Sequence, residues 1–236
     1  MDTMLLAPGR PYSVALERRE MLPFRVRIAE SAQDIERAVE IRAAAYARHV
    51  PSIGLALREP EVDDLRPDAL LLFAERKLDG GVVGSLRLQH NFNRPLRIEG
   101  ELILPEAYKG KRLVEVRRLG VGNGTSGRMV TAALLKALYE MCHAGNIDYL
   151  VFGARQSVAA IYRAMHFDDI LGGETIALSH AENLPHSIFA LPVLDADRRW
   201  RTTEYGLYDF MARTEHPDIH IDYERVFAVF GRRQTS

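Results

Sequence analysis

At 236 residues, with 47% apolar and 27% charged side chains, the chain has the composition of a globular protein that can bury one large core or two small ones. Its formal net charge of -1 excludes the overall basic character of a nucleic-acid-binding protein, and no apolar run is long enough to cross a membrane. The single cysteine, Cys142, excludes an internal disulfide and a multi-cysteine metal site, and it fits a reducing, cytoplasmic compartment.

The N-terminal end of the chain differs from the rest. Residues 1–23 are predicted to form an N-terminal arm, because their short apolar run is broken at once by proline and glycine. Residues 24–236 are predicted to form a single domain. His216 and His220 stand four positions apart, but Pro217 separates them and no carboxylate partner accompanies them, so no metal site is predicted.

The domain begins with a predicted strand and helix. Phe24–Ile28 alternates apolar and basic side chains, which is the period of a half-buried strand. Ser31 is the expected N-cap of a helix, since residues at helical spacing follow it to about His49. Residues 51–67 are rich in proline and charge and show no clear period, which predicts a loop or a short irregular turn.

The next elements predict a sheet with interleaved helices. Asp79 and Gly80 tolerate the positive φ of a tight turn, so a hairpin is expected there. The predicted elements are strands at 69–76 and 81–89, an irregular stretch at 90–111, a strand at 113–121, a helix from about 125 to 143, a strand at 147–152, a helix at 158–165 and a strand at 187–194. This order indicates an α/β (α+β) fold with one central mixed β-sheet flanked by helices on both faces.

The strand at 113–121 carries charges where a buried strand should carry none. Glu115, Arg117 and Arg118 stand among apolar neighbours. Burying an unpaired charge is costly, so these side chains must be paired, or face a cleft, or both. A charged cluster within a core strand is a candidate functional site, and an ordinary buried ion pair is the alternative.

Four motifs occur in a fixed order along the chain. Arg42 and Tyr46 form an Arg-x-x-x-aromatic pair on the predicted first helix, and Arg87 lies in a Gly-x-x-Arg-Leu strand. Residues 115–119 read Glu-x-x-Arg-Leu, and residues 160–167 resemble a Tyr-x-x-x-Gly-Phe helix end with histidine in place of glycine. In these motifs the chain resembles the GNAT N-acyltransferases, and within them the branch of N-acyl amino acid synthases and acyl-homoserine-lactone (autoinducer) synthases.

The resemblance implies a GNAT-like fold and the transfer of an acyl group from a thioester to an amine. It implies Glu115, Arg118 and Arg87 as catalytic residues, with Glu115 as a base acting through a water molecule. The two arginines would orient Glu115 or bind the carboxylate of the acceptor. In a regular strand Glu115 and Arg118 point to opposite faces, so a bulge is predicted between Val116 and Gly120.

Further residues are predicted to bind the acceptor and the acyl chain. The acceptor-binding residues are expected to be Arg42, Tyr46, Asp64, Asp68 and Arg117, although Asp63 competes with the other two aspartates for the position before the second strand. A fatty acyl chain needs an apolar tunnel between the sheet and its helices. The residues predicted to line it are Leu72, Leu86, Leu134, Leu138 and Phe152.

The predicted donor is an acyl carrier protein. A pyrophosphate-binding turn of the Arg/Gln-x-x-Gly-x-Gly type is missing at the start of the helix, whereas glycine-rich residues 122–128 can cradle the single phosphate of a phosphopantetheine arm. A basic run would attract an acidic carrier protein. The predicted contact residues are Lys109, Lys111, Arg112, Gly122, Gly124 and Arg128. No permanently bound cofactor is predicted, and acyl-coenzyme A is the alternative co-substrate.

The predicted reaction is transfer of a long-chain acyl group to the amino group of an amino acid. Leu119 stands where autoinducer synthases favour an aromatic residue, which favours an amino acid over S-adenosylmethionine as acceptor. The rival hypotheses are an autoinducer synthase, a conventional acetyl-coenzyme A-dependent GNAT acetyltransferase, and a non-enzymatic module that binds acyl carrier protein or acyl lipid.

Overall fold

The computed structural model describes residues 18–124 and 127–231, in which eight strands form one mixed sheet with helices on both faces. The helices are α1 Ala32–Ala47, α2 Pro51–Ala56, α3 Gly127–Ala144, α4 Gln156–Ala164, α5 Ala196–Thr202 and α6 Tyr223–Phe230. The strands are β1 Arg18–Arg19, β2 Phe24–Ile28, β3 Ala69–Arg76, β4 Val82–His90, β5 Leu113–Val121, β6 Tyr149–Ala154, β7 Asp168–Asp169, β8 Ile176–Leu178, β9 Leu184–Pro192 and β10 Thr214–Glu215.

The order of strands in the large sheet is β2-β3-β4-β5-β6-β9-β7, and β8 pairs with β9 outside this path. Neighbours in this order run antiparallel, except that β5 and β6 are parallel. The mixed sheet predicted from the order of elements is therefore confirmed. The charged strand β5 lies at its centre.

The two faces of the sheet have different chemistry because side chains alternate along each strand. Leu86 and Leu88 of β4 and Val116 of β5 belong to the main hydrophobic core, together with α3. On the opposite face Ser85 donates a hydrogen bond of 2.7 Å to the carbonyl oxygen of Ala38 in α1. The apolar face thus packs on α3, and the face under α1 carries the polar side chains.

Helix α3 is buried on nearly every side, and α6 packs against its C-terminal end. A Cβ atom at Gly145 would lie 2.7 Å from the ring of Phe230, so only glycine fits between α3 and α6. Arg112 donates hydrogen bonds to the carbonyl oxygens of Gly145 and Asn146 and to that of Phe230. The predicted start of this helix, at residue 125 or 126, lies outside the described residues.

The loop predicted for residues 51–67 is wrong in part. The structure forms α2 at its start and a short 3-10 turn, Val62–Leu65, further on. Pro51 occupies the first turn of α2, where proline needs no N–H partner. Elements of four to six residues are too short to show a hydrophobic period, so the sequence pattern does not predict them.

The chain before β2 packs against the C-terminal segment. Strands β1 and β10 pair in parallel, and the N–H of Leu22 donates a hydrogen bond of 2.8 Å to the carboxylate of Asp218. The remainder of the predicted arm, residues 1–17, lies outside the described residues. Within the part of the chain that the structure describes, no helix is both long enough and apolar enough to cross a membrane.

Candidate active site

A bulge in β5 brings its charged residues to one face of the sheet. Arg87 pairs with Arg117 and Ser85 pairs with Gly120, so two steps along β4 correspond to three along β5. Two residues of β5, Arg118 and Leu119, lie between these pairs, where β4 has only Leu86. Arg118 has a φ of 59°, a left-handed conformation that is uncommon for arginine. The bulge predicted between Val116 and Gly120 is therefore confirmed.

Strands β5 and β6 separate immediately beyond this point. Their register runs from Leu113 opposite Tyr149 to Val116 opposite Phe152, and no pair follows among the described residues. Beyond it β5 pairs with β4 alone, and the end of β6 pairs with β9 alone. A cavity of about 370 Å³ opens where the two strands diverge.

The lining of this cavity combines apolar and polar side chains. The apolar residues include Ile53, Val116, Leu119, Phe152, Val158, Ile161, Tyr162, Leu178, Ala181 and Leu184. The groups that can bind charge or transfer protons include Tyr46, Arg48, His49, Glu115, Arg117, Arg118, Arg155, His180 and His186. The cavity can therefore hold an apolar chain that ends at a polar group.

Beside the cavity lies a network of buried ion pairs, which we call the closed network: Arg42, Glu61, Asp64, Arg87 and Arg118. Asp64 accepts hydrogen bonds of 2.8 and 2.7 Å from Arg42 and one of 2.8 Å from Arg87. Glu61 accepts hydrogen bonds of 2.9 and 2.7 Å from Arg118 and one of 3.0 Å from Arg87. The two carboxylates thus join α1, β4 and the bulge of β5.

The two carboxylates of the closed network are held in the ionised form. Burial by itself would raise the pKa of Glu61, but its hydrogen bonds with Arg118 and the charges of Arg118, Arg87 and Arg42 lower that pKa to about 2. The pKa of Asp64 is lowered in the same way, because the hydrogen bonds and charge of Arg42 outweigh burial. Three arginine nitrogens have no hydrogen-bond partner among the described residues: the Nε of Arg42 and the Nε and Nη2 of Arg87. The network therefore has more hydrogen-bond donors than its two carboxylates accept.

Glu115 and Arg117 form a second, looser arrangement, which we call the open pair. Their closest charged atoms, Oε1 and Nε, are 3.8 Å apart, beyond hydrogen-bond distance. Glu115 accepts a long hydrogen bond of 3.3 Å from the N–H of Ile98, and Arg117 donates one of 3.3 Å to Asp63. The Nε of Arg117 has no hydrogen-bond partner in the described part of the chain. Both side chains line the cavity with bonding capacity left for a ligand.

Burial dominates the electrostatics of the open pair. It raises the pKa of Glu115, and the nearby charge of Arg117 offsets this only in part. It also lowers the pKa of Arg117 to about 10. A carboxylate with a raised pKa is a stronger proton acceptor when ionised, so Glu115 has the property that a general base requires.

Sequence reasoning missed a second pair of ionisable groups on the cavity wall. His180 lies in a 3-10 turn, Ser179–Ala181, and its Nδ1 is 2.9 Å from the carboxylate of Glu101. Glu101 also accepts hydrogen bonds from the backbone N–H and the hydroxyl of Ser179, at 2.7 and 3.0 Å. Nothing in the local pattern marks these residues, which are 79 positions apart.

The residues predicted to bind the acceptor fall in different places. Tyr46 and Arg117 line the cavity, and the ring of Tyr46 lies 5.9 Å from the guanidinium carbon of Arg118. Arg42 and Asp64 belong to the closed network and support β5 from behind. Asp68 pairs with Arg66 at 2.9 Å and with Arg94 at 3.5 Å.

Four of the five residues predicted to line an acyl tunnel lie elsewhere. Leu72, Leu86, Leu134 and Leu138 are fully buried in the core between the sheet and α3. They pack in the core between the sheet and α3, whereas the cavity lies where β5 and β6 separate and is lined by other residues. Phe152 does line the cavity.

The basic residues predicted to contact a carrier protein do not form one surface. Lys109 and Lys111 precede β5, where Lys109 pairs with Glu106 at 2.5 Å, whereas Gly122, Gly124 and Arg128 follow its other end. The guanidinium of Arg112 stabilises the fold, because it donates hydrogen bonds to carbonyl groups at the end of α3 and stacks over Phe92 at 3.8 Å. In the glycine turn, the N–H of Gly122 donates to Val83 at 2.8 Å, and residues 125–126 lie outside the described part.

Among the described residues, no group of three histidine, cysteine or acidic side chains is arranged to hold a metal ion. His216 lies 3.0 Å from the buried ammonium of Lys136 and packs against the ring of Phe210. Such surroundings serve packing rather than metal binding.

The fold of this chain is shared with solved acyltransferase structures. FeeM, an N-acyl amino acid synthase from uncultured soil microbes, has a TM-score of 0.59 and 19% identity over 80% of this chain and 98% of its own. BjaI, a CoA-dependent acyl-homoserine lactone synthase, has a TM-score of 0.56 and 14% identity over 87% of this chain and 98% of its own. A GNAT acetyltransferase from Staphylococcus aureus Mu50 has a TM-score of 0.50 and 15% identity over 72% and 99%. The chain therefore has the fold of the GNAT acyltransferases.

The family model of the N-acyl amino acid synthase FeeM matches residues 37–182, which is more than half of the chain. The matched range includes the closed network, the open pair and His180. The chain belongs to this family, and it is an N-acyltransferase. None of the curated proteins compared with it matches. Membership of an enzyme family removes the hypothesis of a non-enzymatic binding module.

Proposed function

We propose that the protein transfers a fatty acyl group from a carrier-protein thioester to the amino group of an amino acid, giving an N-acyl amino acid. The observation that carries this proposal is the open pair, which brings an unsaturated cation and a carboxylate with a raised pKa to the wall of a cavity that also has many apolar lining residues. A long acyl chain fits the apolar lining residues, and an acceptor with one negative charge fits the cation.

Arg117 is the proposed anchor for the acceptor's carboxylate. Its Nε has no partner among the described residues, and its one hydrogen bond to a side chain, with Asp63, is long. A guanidinium in this state offers two parallel N–H groups to a carboxylate, and such charge-assisted hydrogen bonds are the strong ones. Tyr46 lies on the same wall and would limit the space for the acceptor's side chain.

Glu115 is the proposed base for the attacking amine. As the nitrogen forms a bond to the thioester carbon, it must lose a proton, and Glu115 takes this proton directly or through a water molecule. When the tetrahedral intermediate collapses, the carbon–sulfur bond breaks and the same proton passes to the departing thiolate. The oxyanion would be stabilised by backbone N–H groups on the edge of β5 that faces β6, because that edge loses its strand partner beyond Val116.

The donor's phosphopantetheine arm would enter past the basic residues at the open end of the strands. Arg48 and Arg155 line the cavity there, and Arg128 is exposed on the first turn of α3. An acidic carrier protein is attracted to such a rim, and it needs only one phosphate site in the glycine turn. The acyl thioester acts as a co-substrate, and we assign the reaction to the cytoplasm.

The test is mass spectrometry of organic extracts from bacteria that produce either the protein or its Glu115→Gln variant. N-acyl amino acids that appear with the protein and not with the variant would support the proposal and report the acceptor and chain length together. Purified protein is then supplied with acyl carrier protein and coenzyme A thioesters of the same chain length, and a higher kcat/KM is expected with the carrier protein.

Two other results would contradict the proposal. An acyl-homoserine lactone formed from S-adenosylmethionine would indicate an autoinducer synthase. Turnover with acetyl-coenzyme A but not with longer acyl thioesters would indicate a conventional acetyltransferase.

A further inference from the structure

We propose that His180, positioned by Glu101, is a second proton acceptor, which removes the first proton from the acceptor's ammonium group before the amine attacks. This inference rests on the N-acyl transfer proposed above. It adds a catalytic residue that lines the same cavity as the open pair and assigns it a step that Glu115 cannot perform at the same time.

The geometry around His180 determines which ring nitrogen is free. Burial alone would raise the pKa of Glu101, but its hydrogen bonds with His180 and Ser179 lower it, so this carboxylate is ionised. An ionised carboxylate only accepts hydrogen bonds, and therefore the Nδ1 of His180 carries the hydrogen that lies toward Glu101. The lone pair is then on Nε2, the ring nitrogen left for the cavity that His180 lines.

The charges that surround His180 keep it neutral until the acceptor arrives. Burial and the positive charges of Arg117 and Arg118 on β5 lower its pKa to about 4, against the opposing effect of Glu101. Arg97 pairs with the same carboxylate at 3.8 Å, and His186 faces the cavity from β9. An acceptor carboxylate bound to Arg117 cancels part of this positive charge, so His180 becomes a stronger base when the substrate is in place.

The reaction removes two protons from the acceptor's nitrogen at different stages, which leaves a step for a second proton acceptor. An amino acid enters as an ammonium ion with three protons on nitrogen, and the amide product keeps one of them. One proton leaves before the attack, because an ammonium ion has no lone pair, and it goes to the Nε2 of His180 and then to solvent. The other leaves during the attack, passes through Glu115 and ends on the thiol of the donor.

His186 is a matched histidine in the same cavity. Its Nδ1 lies 2.7 Å from the carbonyl oxygen of Leu184, a neutral group. A carboxylate stabilises the imidazolium that forms during proton transfer much better than a carbonyl does. Both histidines line the cavity, and their hydrogen-bond partners differ in charge.

The first test compares His180→Gln with His186→Gln, using the full chain and the thioester and amino acid on which the wild type is active. For His180→Gln we expect kcat/KM at neutral pH to fall by about 10²-fold, the usual contribution of a general base. The loss for His186→Gln should be at least about tenfold smaller, since its imidazolium would lack a carboxylate partner.

The pH profile separates a base from a packing residue. Wild-type kcat/KM should level off once His180 is neutral in the free enzyme. The kcat/KM of His180→Gln should continue to rise with pH toward the pKa of the free amino group, because only acceptors that arrive deprotonated react. Added imidazole should restore part of the activity of His180→Ala but not that of Glu115→Gln. Glu101→Gln should change the pH at which kcat/KM levels off, and it should leave KM for the thioester unchanged.

Nitrogen NMR of the labelled imidazoles, with His180→Gln to assign the signal, provides a readout independent of acyl transfer. The expected result at neutral pH is a neutral ring with its hydrogen on Nδ1. A hydrogen on Nε2, or equal activity losses for the two histidine variants, would overturn the role of His180 while leaving the acyl transfer intact. A wild-type protein inactive with every thioester would overturn the proposed function, and the NMR result would still decide the state of His180.

Discussion

Three carboxylates, of which Asp64 and Glu115 are buried and Glu61 is half-buried, lie within reach of arginines, and they do not share one electrostatic state. In the closed network, Glu61 and Asp64 each accept three hydrogen bonds from guanidiniums, and the pKa of each is lowered. In the open pair, Glu115 receives no hydrogen bond from a guanidinium among the described residues, and its pKa is raised. The pKa values of the carboxylates in these two neighbouring groups are thus shifted in opposite directions.

The difference follows from the number of donors that each carboxylate meets. A carboxylate with several charge-assisted hydrogen bonds is fixed in position and cannot easily accept a proton. A buried carboxylate with few donors keeps its lone pairs for a substrate, and desolvation makes it more basic. The closed network therefore fixes the geometry of the bulge, and the open pair is left to do the chemistry.

The largest expected effect comes from breaking the closed network. Asp64→Ala should lower the free energy of unfolding by about 3–5 kcal/mol, because the fully buried Arg42 is left without its carboxylate. Urea unfolding measures this loss. The matched control is Asp68→Ala, which removes a partly exposed ion pair with Arg66 and should cost about 1 kcal/mol or less. Similar losses in the two variants would show that the network does not hold the fold.

Glu115→Gln should have its main effect on catalysis. We expect kcat to fall by about 10²–10³-fold, because the amide cannot take a proton from the attacking amine. The thioester should still bind, so its KM should change little. Steady-state kinetics with acceptor and donor varied separately check this. A variant that kept a tenth of the wild-type kcat would remove Glu115 from the role of base.

The same substitution has a pH-dependent effect on stability, and its sign can be worked out. The folded-state pKa of Glu115 lies above the ordinary value of 4.5, so the folded protein holds this proton more tightly than the unfolded chain. The stability contributed by the protonated form is present below pH 4.5 and is lost as pH rises through the folded-state pKa. Glutamine does not titrate, so Glu115→Gln should gain stability relative to wild type as pH rises above 4.5, which urea unfolding at an acidic and at a neutral pH would measure.

The sequence pattern allowed the sheet, the bulge and the reacting strand to be predicted, because each depends on local order. Glu115 and Arg118 point oppositely in a regular strand, so placing both in one site requires a bulge. The pattern did not reveal Glu61, the hub of the closed network. It lies in a stretch of short turns where no period develops, and its partners come from β4 and β5.

The prediction of the acyl-tunnel residues was wrong for a different reason. The alternation in β4 correctly separates Leu86 and Leu88 from Arg87, but it does not say which face borders the cavity. That depends on where β6 leaves β5, which is set by the pairing of β6 with β9 much later in the chain. His180 and Glu101 were missed for a similar reason, since only the three-dimensional fold brings them together.

Arg117→Gln should have a smaller effect than Glu115→Gln, and mainly on acceptor binding. We expect KM for the amino acid to rise about tenfold, equivalent to losing about 1.4 kcal/mol of binding. The matched experiment replaces the amino acid with its amide, which has no carboxylate for Arg117 to bind. With the amide, the wild type and the variant should have similar KM values. A tenfold difference that persisted with the amide would assign Arg117 to structure rather than to recognition.

The smallest effect concerns the donor and distinguishes the two ends of β5. The nine residues of β5 span about 30 Å at roughly 3.3 Å per residue, so Lys109 and Lys111 are far from the glycine turn. Exposed charges at that distance are screened, because the Debye length is about 8 Å at physiological salt. Removing both lysines should therefore leave KM for the acyl carrier protein within about twofold of wild type, whereas Arg155→Ala should raise it by more than that, most clearly at low salt. A larger effect from the lysines would place the carrier protein at the opposite end of the strand, and the phosphopantetheine arm would then have to reach the cavity by a path that the glycine turn does not offer.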